Sequence, residues 1–258
     1  MNVLIKVLVC FLAGAGAGIG TGFAGMSAAS VIGPMLTTFL NIPAYQAIGI
    51  GLASDVLASA VCARTYYKNK NLDIKNGLVM MACVILMTVV GSYIASLLPE
   101  RAMSNTSLFG MIFIGLRFVL KPVLTTKEQM NAISQKKKII NSIIGGTIVG
   151  FICGFVGAGG GMMMLFILTS FLGYELHTAV GTSVFIMTFT ALTGSLSHFQ
   201  IGGLPDTTSL ILCIIFTLLW ASVASKIANK AETKILNRVV GVVLLITSIT
   251  ILIVRYIF

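Results

Sequence analysis

Charged residues are scarce in this sequence. Only 9% of its 258 residues are Asp, Glu, Lys or Arg, whereas 57% are hydrophobic. Soluble domains carry about 25% charged residues, because their surface faces water. The mean hydropathy is +1.03. A soluble globular domain is therefore excluded, and most of the surface is expected to face lipid.

Acidic residues are the scarcest charged group, with seven Asp and Glu against seventeen Lys and Arg. The sequence contains no H-E-x-x-H motif, no G-x-S-x-G motif and no pair of carboxylates within an apolar run. These absences argue against an intramembrane enzyme. An enzyme that uses Asp55, His177 or His198 stays open as the weaker alternative. We predict no catalytic residue and no cofactor.

Cysteines are few and are not arranged as a disulfide framework or a metal site. They are odd in number, lie in apolar runs and form no C-x-x-C pair, so we interpret them as small buried apolar residues. The Met162–Met164 run lacks the further close Met, Cys or His residues of a copper site. No metal site is predicted. The cysteines are Cys10, Cys62, Cys83, Cys153 and Cys213.

Most of the basic residues lie in three clusters between apolar runs, at residues 64–75, 117–138 and 226–238. Such clusters are typical of the cytoplasmic loops of membrane proteins. Nucleic-acid binding requires a contiguous basic face on a folded surface, which these short segments do not offer. The net charge of +10 therefore indicates membrane topology, and nucleic acid is not an expected partner.

The apolar runs predict ten helical elements. A straight membrane span needs about 20 residues, so the second run of each half, 26–40 and 159–172, is short for a full crossing. The runs are 3–24, 26–40, 46–63, 77–98, 104–120, 139–157, 159–172, 178–199, 208–225 and 236–257.

The two halves of the chain carry the same pattern, shifted by 132 residues. Paired halves with interrupted apolar segments at matching positions are typical of transporters, and they indicate the binding site. Under the shift, Gly18, Gly22, Phe23, Gly25, Thr37, Phe39, Leu40, Ala47 and Gly49 match Gly150, Gly154, Phe155, Gly157, Thr169, Phe171, Leu172, Ala179 and Gly181.

Loop charges predict that the two halves have opposite orientations. The loop at 64–75 is strongly basic, whereas its counterpart at 200–206 has no positive charge. The following pair of loops reverses this difference. We therefore predict an all-α polytopic membrane protein with two inverted repeats of about five helical elements each, and with both termini outside. The predicted division is a first repeat at 1–121, a basic cytoplasmic linker at 122–138 and a second repeat at 139–258.

Glycine-rich segments are expected to break the helices. The second-half segment reads Gly150-Phe-Ile-Cys-Gly154-Phe-Val-Gly157-Ala-Gly159-Gly160-Gly161. Successive glycines disfavour a helix by about 1 kcal/mol each relative to alanine. A break exposes helix N-terminal amides, which can bind an anion. We favour a break at the last three glycines and close helix packing at the first three.

These motifs resemble the TauE/SafE family of sulfite and organosulfonate exporters, over nearly the whole chain. The resemblance rests on Gly154-x-x-Gly157-x-Gly159-Gly160-Gly161, on Ala179-x-Gly181-Thr182-Ser183 after His177, and on the first-half segment ending at Pro34. It implies a permease of the prokaryotic inner membrane that exports a small anion, coupled to an ion gradient. The implied partners are that anion and the lipid bilayer, and a homodimer is left open.

The first half departs from the family pattern. It has Gly25-Met26-Ser27-Ala28-Ala29-Ser30 in place of a second glycine cluster, and Gly49-Ile50-Gly51 in place of Gly-Thr-Ser. Hydroxyl groups can replace backbone donors at these positions. The candidate substrate-binding residues are Ser27, Ser30, Gly51, Ser54, Gly159, Gly160, Gly161, Thr182 and Ser183.

Asp55 lies about half-way along an apolar run. A carboxylate at that depth commonly faces a cavity or relays a proton, and it would repel an anion, so we predict proton coupling. The alternative is a neutral structural Asp. His198 and Gln200 are candidates for the outer mouth, whereas His177 is interpreted as an interfacial residue. A passive anion channel is the rival to a carrier working by alternating access.

Overall fold

The computed structural model describes residues 3–95, 103–156, 160–203 and 205–257. Within these ranges the secondary structure is helical, which confirms the predicted all-α fold. The helices are α1 (Val3–Ala24), α2 (Ala29–Leu40), α3 (Ala44–Lys68), α4 (Ile74–Ala95), α5 (Met103–Leu120), α6 (Lys127–Ala132), α7 (Gln135–Val156), α8 (Gly160–Ser170), α9 (Leu176–Gly202), α10 (Thr207–Lys230) and α11 (Thr233–Ile257).

Each predicted apolar run overlaps one of these helices, and α6 is an additional element. It lies in the segment predicted as the linker, 122–138, which also contains the start of α7. A capping box stabilises the start of α6. The Thr126 side chain accepts from the Gln129 amide, and the Gln129 side chain accepts from the Thr126 amide. The basic segment is folded against other parts of the chain, because the Val123 amide donates to the Asn237 side chain on α11 and the Lys127 ammonium donates to the Lys70 carbonyl oxygen.

In the part of the chain that the structure describes, six helices are long and apolar enough to cross a membrane. They are α1, α3, α9 and α10 together with residues 74–91 of α4 and 233–250 of α11. Helices α2 and α8 are apolar but have only 12 and 11 residues, short of the roughly 20 that a span requires. The protein is a multi-pass membrane protein with two short helices.

Helix packing follows the same pairing in both halves. Helix α1 packs against α10, and the matching helix α7 packs against α4. Helix α2 packs on α3 as α8 packs on α9, while α3 contacts α9 and α5 contacts α11. Exchanging the halves therefore returns these main helix pairs, with α3 and α9 as the central pair.

Glycines on α1 and α7 bring the paired helices into close contact. A Cβ at Gly18 would lie 2.8 Å from the backbone nitrogen of Ala221 on α10. A Cβ at Gly150 would lie 2.8 Å from the Cα of Val84 on α4. Both distances are too short for a side chain, so the interpretation of Gly150 as a packing residue is confirmed. The surroundings of Gly154, and Gly157 itself, lie outside the described structure.

Candidate substrate-binding site

A turn centred on Gly25 separates helices α1 and α2. Gly25 has φ +59°, a left-handed conformation that glycine adopts without steric cost. The Thr21 hydroxyl donates to the Met26 carbonyl oxygen at 2.8 Å and holds the turn. Helix α2 then begins without a side-chain cap. The Ser30 and Val31 amides donate to the carbonyl oxygens of Ser27 and Ala28 at 3.1 Å. The positive end of the α2 dipole nevertheless lies inside the protein.

Asp55 lies beside this helix terminus. The residue is fully buried on α3, and one carboxylate oxygen accepts from the Ser59 hydroxyl at 2.9 Å. The carboxylate also adjoins the Ser27 hydroxyl and the backbone amide of Ala28. Among the described residues, its Oδ2 atom has no hydrogen-bond partner. An acidic side chain therefore sits where an anion would be attracted to α2.

The start of α8 reaches the same place from the other half of the chain. A Cβ at Gly161 would overlap the Gly25 carbonyl oxygen and the Met187 sulfur on α9. A Cβ at Gly25 would overlap the Ser183 hydroxyl, also on α9. The turn before α2 thus lies directly against the first turn of α8 and one face of α9.

Residues on α3 complete the contact. A Cβ at Gly51 would lie 2.5 Å from the Cα of Ala29, so α3 and the first turn of α2 touch backbone to backbone. The Ser54 hydroxyl donates to the Ile50 carbonyl oxygen at 2.8 Å, and the Ser183 hydroxyl donates to that of Val180 at 2.8 Å. These two hydroxyl oxygens remain able only to accept. The buried Ser30 hydroxyl has no partner among the described residues.

Two of the remaining candidates, Thr182 and Gly160, face other neighbours. The Thr182 hydroxyl accepts from the Asp73 amide at 3.1 Å, which directs it to the loop between α3 and α4. Gly160 faces Cys153, whose sulfur would lie 2.6 Å from an added Cβ. Gly159 lies outside the described residues. The structure thus brings together Ser27, Ser30, Gly51, Asp55, Gly161 and Ser183 around the start of α2. Ser54 is buried beside Asp55, but its hydroxyl donates within α3.

His198 and Gln200 lie far along α9 from this centre. The His198 ring stacks on Tyr45 with centroids 4.5 Å apart, and its Nδ1 atom is 2.9 Å from the Gly194 carbonyl oxygen. Gln200 is exposed. At about 1.5 Å per helical residue, His198 is roughly 22 Å from Ser183. The two residues stand at one end of the molecule, away from the central contact.

Sequence reasoning missed the role of Glu175, the N-cap of α9. Its side chain accepts from the backbone amides of His177 and Thr178. Burial raises the pKa of its carboxyl, but hydrogen bonds from His177 and Thr178 outweigh that effect and leave the pKa lowered. The His177 ring also lies 3.1 Å from the Ala231 carbonyl oxygen, which ties α9 to the loop before α11. A Glu at the start of an apolar run was the available signal.

Comparison with known proteins identifies the family. The family model of the sulfite exporter TauE/SafE matches residues 10–251, a range that contains every residue of the central contact. The chain belongs to the TauE/SafE family. The residues from which the resemblance was inferred thus led to the correct family.

Relatives of this TauE/SafE protein are described as membrane transporters. "Probable membrane transporter protein YdhB" of Bacillus subtilis (strain 168) is 25% identical over 228 residues, which cover 88% of this chain and 90% of the relative. "Probable membrane transporter protein YunE" of the same strain is 24% identical over 262 residues, covering 95% and 96%. A "Probable membrane transporter protein" of Haemophilus influenzae is 27% identical over 205 residues, covering 76% and 75%.

Proposed function

We propose that this TauE/SafE protein exports a small oxyanion, such as sulfite or an organosulfonate, across the inner membrane of a prokaryotic cell. The observation that supports the proposal is the meeting of the starts of two short helices, α2 and α8, at Gly25. Amide-rich helix starts inside a membrane are suited to hold an anion without a metal or cofactor.

Asp55 couples anion binding to a proton. The carboxylate lies next to Ser27 and Ala28, within the same contact region as Gly161. Two negative charges close together in a medium of low dielectric constant repel each other. Protonation of Asp55 therefore favours the bound anion, and the anion equally favours the proton, since linkage between two ligands is reciprocal.

The repeated packing supports a mechanism of alternating access. The main helix pairs recur when the halves are exchanged, with α3 and α9 at the centre, and the reversed loop charges support an inverted arrangement. In the proposed cycle, one half rocks against the other around Gly25, so that the site opens to each side in turn. The basic loops face the cytoplasm and both termini face outward.

The proposed orientation predicts different labelling of two exposed residues that lie on opposite sides of the membrane. Asn69 follows α3 and Thr207 begins α10, and both are exposed. In a protein whose five cysteines are replaced by alanine, Thr207→Cys should react with a membrane-impermeant thiol reagent added to intact cells. Asn69→Cys should react only after permeabilisation. Labelling of both residues from outside would contradict the inverted repeat.

Reconstituted transport tests the proposed activity. Proteoliposomes loaded with sulfite, sulfate, thiosulfate or a sulfonate should release at least one of these anions in a saturable manner, and external anion should accelerate the release by counter-transport. Liposomes that contain the same anion but no protein are the control. Release that never saturates and shows no counter-transport would favour the passive channel, and release of none of the four anions would refute oxyanion export.

A further inference from the structure

A basic cavity of about 420 Å³ lies where the α3–α4 loop, α6, the start of α7 and the start of α9 meet. Its wall includes four lysines and a single carboxylate: Lys70, Lys75, Lys127, Lys138 and Asp73. The cavity is separate from the central contact, because none of the residues around the start of α2 is part of its wall. Its α9 residue is Thr178, roughly 7 Å along the helix from Ser183 at about 1.5 Å per residue.

Lys138 is the buried cation of this cavity, only 9% exposed. Among the described residues, no carboxylate lies within ion-pair distance of its ammonium group. Asp73 is in the wall, but its oxygens are occupied by other groups. They accept from the Asn76 amide at 3.1 Å, from the Asn76 side chain at 2.7 Å and from the Tyr174 hydroxyl at 2.8 Å.

The matching position in the other half provides an internal comparison. Lys6 on α1 corresponds to Lys138 on α7 under the 132-residue shift. Lys6 forms an ion pair with Asp206 at 3.0 Å, and Asp206 caps α10 by accepting from the Ser209 amide at 2.8 Å. One lysine of the pair is therefore neutralised by the protein itself, whereas the more buried one is not.

The other lysines of the wall leave the positive charge uncompensated. The Lys127 ammonium donates to the Lys70 carbonyl oxygen at 3.3 Å and to the Asn71 side chain, both of which are neutral acceptors. Lys70 and Lys75 are exposed at the rim. Buried charges in proteins are normally paired, so a cavity with four lysines and one carboxylate is suited to an anion from outside the chain.

We propose that this cavity binds an oxyanion group of the phosphate or sulfate type, with Lys138 as its main ligand and Lys70 and Lys75 closing over it. The group comes either from a free ion or from the headgroup of an anionic phospholipid, which share negatively charged oxygens around a tetrahedral centre. The site is distinct from the proposed transport site and does not depend on transport.

Binding to purified full-length protein tests this proposal. In neutral detergent, titration calorimetry with inorganic phosphate and sulfate should show saturable binding, and Lys138→Gln should raise the dissociation constant at least about tenfold. Lys6→Gln is the matched control and should leave binding within about twofold of the parent value. Lys138→Arg should retain binding. Gly161→Ala changes the central contact and should leave this binding unchanged, which separates the cavity from the proposed transport site.

A lipid arm identifies the source. Protein prepared in phosphatidylcholine with and without phosphatidylglycerol is delipidated, and retained phospholipid is measured by native mass spectrometry. Retention of phosphatidylglycerol that is lost in Lys138→Gln supports a headgroup, whereas binding of inorganic ions alone supports a free oxyanion. If Lys138→Gln fails to fold, the Lys70→Gln/Lys75→Gln double variant replaces it. The proposal would be overturned if the cavity variants bound both the inorganic ions and the phospholipid as the parent protein does. It would also be overturned if Lys6→Gln weakened binding as much as Lys138→Gln.

Discussion

Gly161→Ala is expected to lower transport at least about tenfold while the protein still inserts into the membrane. The added Cβ would overlap the Gly25 carbonyl oxygen, a backbone atom, at the contact between α8 and the turn before α2. Overpacking of this kind costs about 1–3 kcal/mol, and about 1.4 kcal/mol applied to one state of the cycle reduces its population tenfold. Efflux from proteoliposomes under saturating substrate measures the effect.

Gly33→Ala is the matched control for this substitution. Gly33 lies on the other short helix, α2, where an added Cβ would make an ordinary 3.5 Å contact with the flexible Ile48 side chain. Alanine also favours a helix by about 0.5–1 kcal/mol over glycine. Gly33→Ala should therefore transport at the parent rate. Normal efflux by Gly161→Ala would remove the α8 start from the proposed site.

Asp55→Asn is expected to abolish the response of transport to a pH gradient of either sign. Asparagine retains the shape of a protonated Asp and can still accept from Ser59, but it cannot release a proton. Passive substrate exchange, which requires no net proton movement, should continue. Anion flux measured in proteoliposomes with imposed pH gradients, compared with exchange at equal pH, distinguishes the two activities.

Asp206→Asn provides the control for the loss of a carboxylate. Asp206 pairs with Lys6 at the start of α10, so its substitution should leave the gradient response intact. Ser59→Ala removes the hydrogen bond to Asp55 and should shift the pH at which transport responds without abolishing the response. Gradient-driven flux by Asp55→Asn at the parent rate would assign Asp55 a structural role.

Local properties of the sequence were sufficient to predict the fold class of the protein and the approximate positions of its helices. Hydropathy and the spacing of lysines act within about 20 residues, and they predicted a polytopic helical protein with one helix in each apolar run. The glycine and Gly181-Thr182-Ser183 motifs led to the correct family. Helix α6 was not predicted, because its six residues are mostly polar and show no helical periodicity of apolar residues.

Relations between the halves depended on the folded packing. Sequence alone placed Thr182 and Ser183 together as substrate ligands, yet adjacent helix positions point about 100° apart, and Thr182 faces the α3–α4 loop while Ser183 faces Gly25. The position of Asp55 beside the start of α2 became visible only once α3 was packed on α2.

The contrast between Lys6 and Lys138 has the same origin. Both lysines occupy matching places in the repeat, so sequence periodicity treats them alike. Whether each finds a carboxylate depends on residues up to 200 positions away and on competing donors such as Tyr174. Local patterns carry no information about such distant competition, because it arises only when the helices assemble.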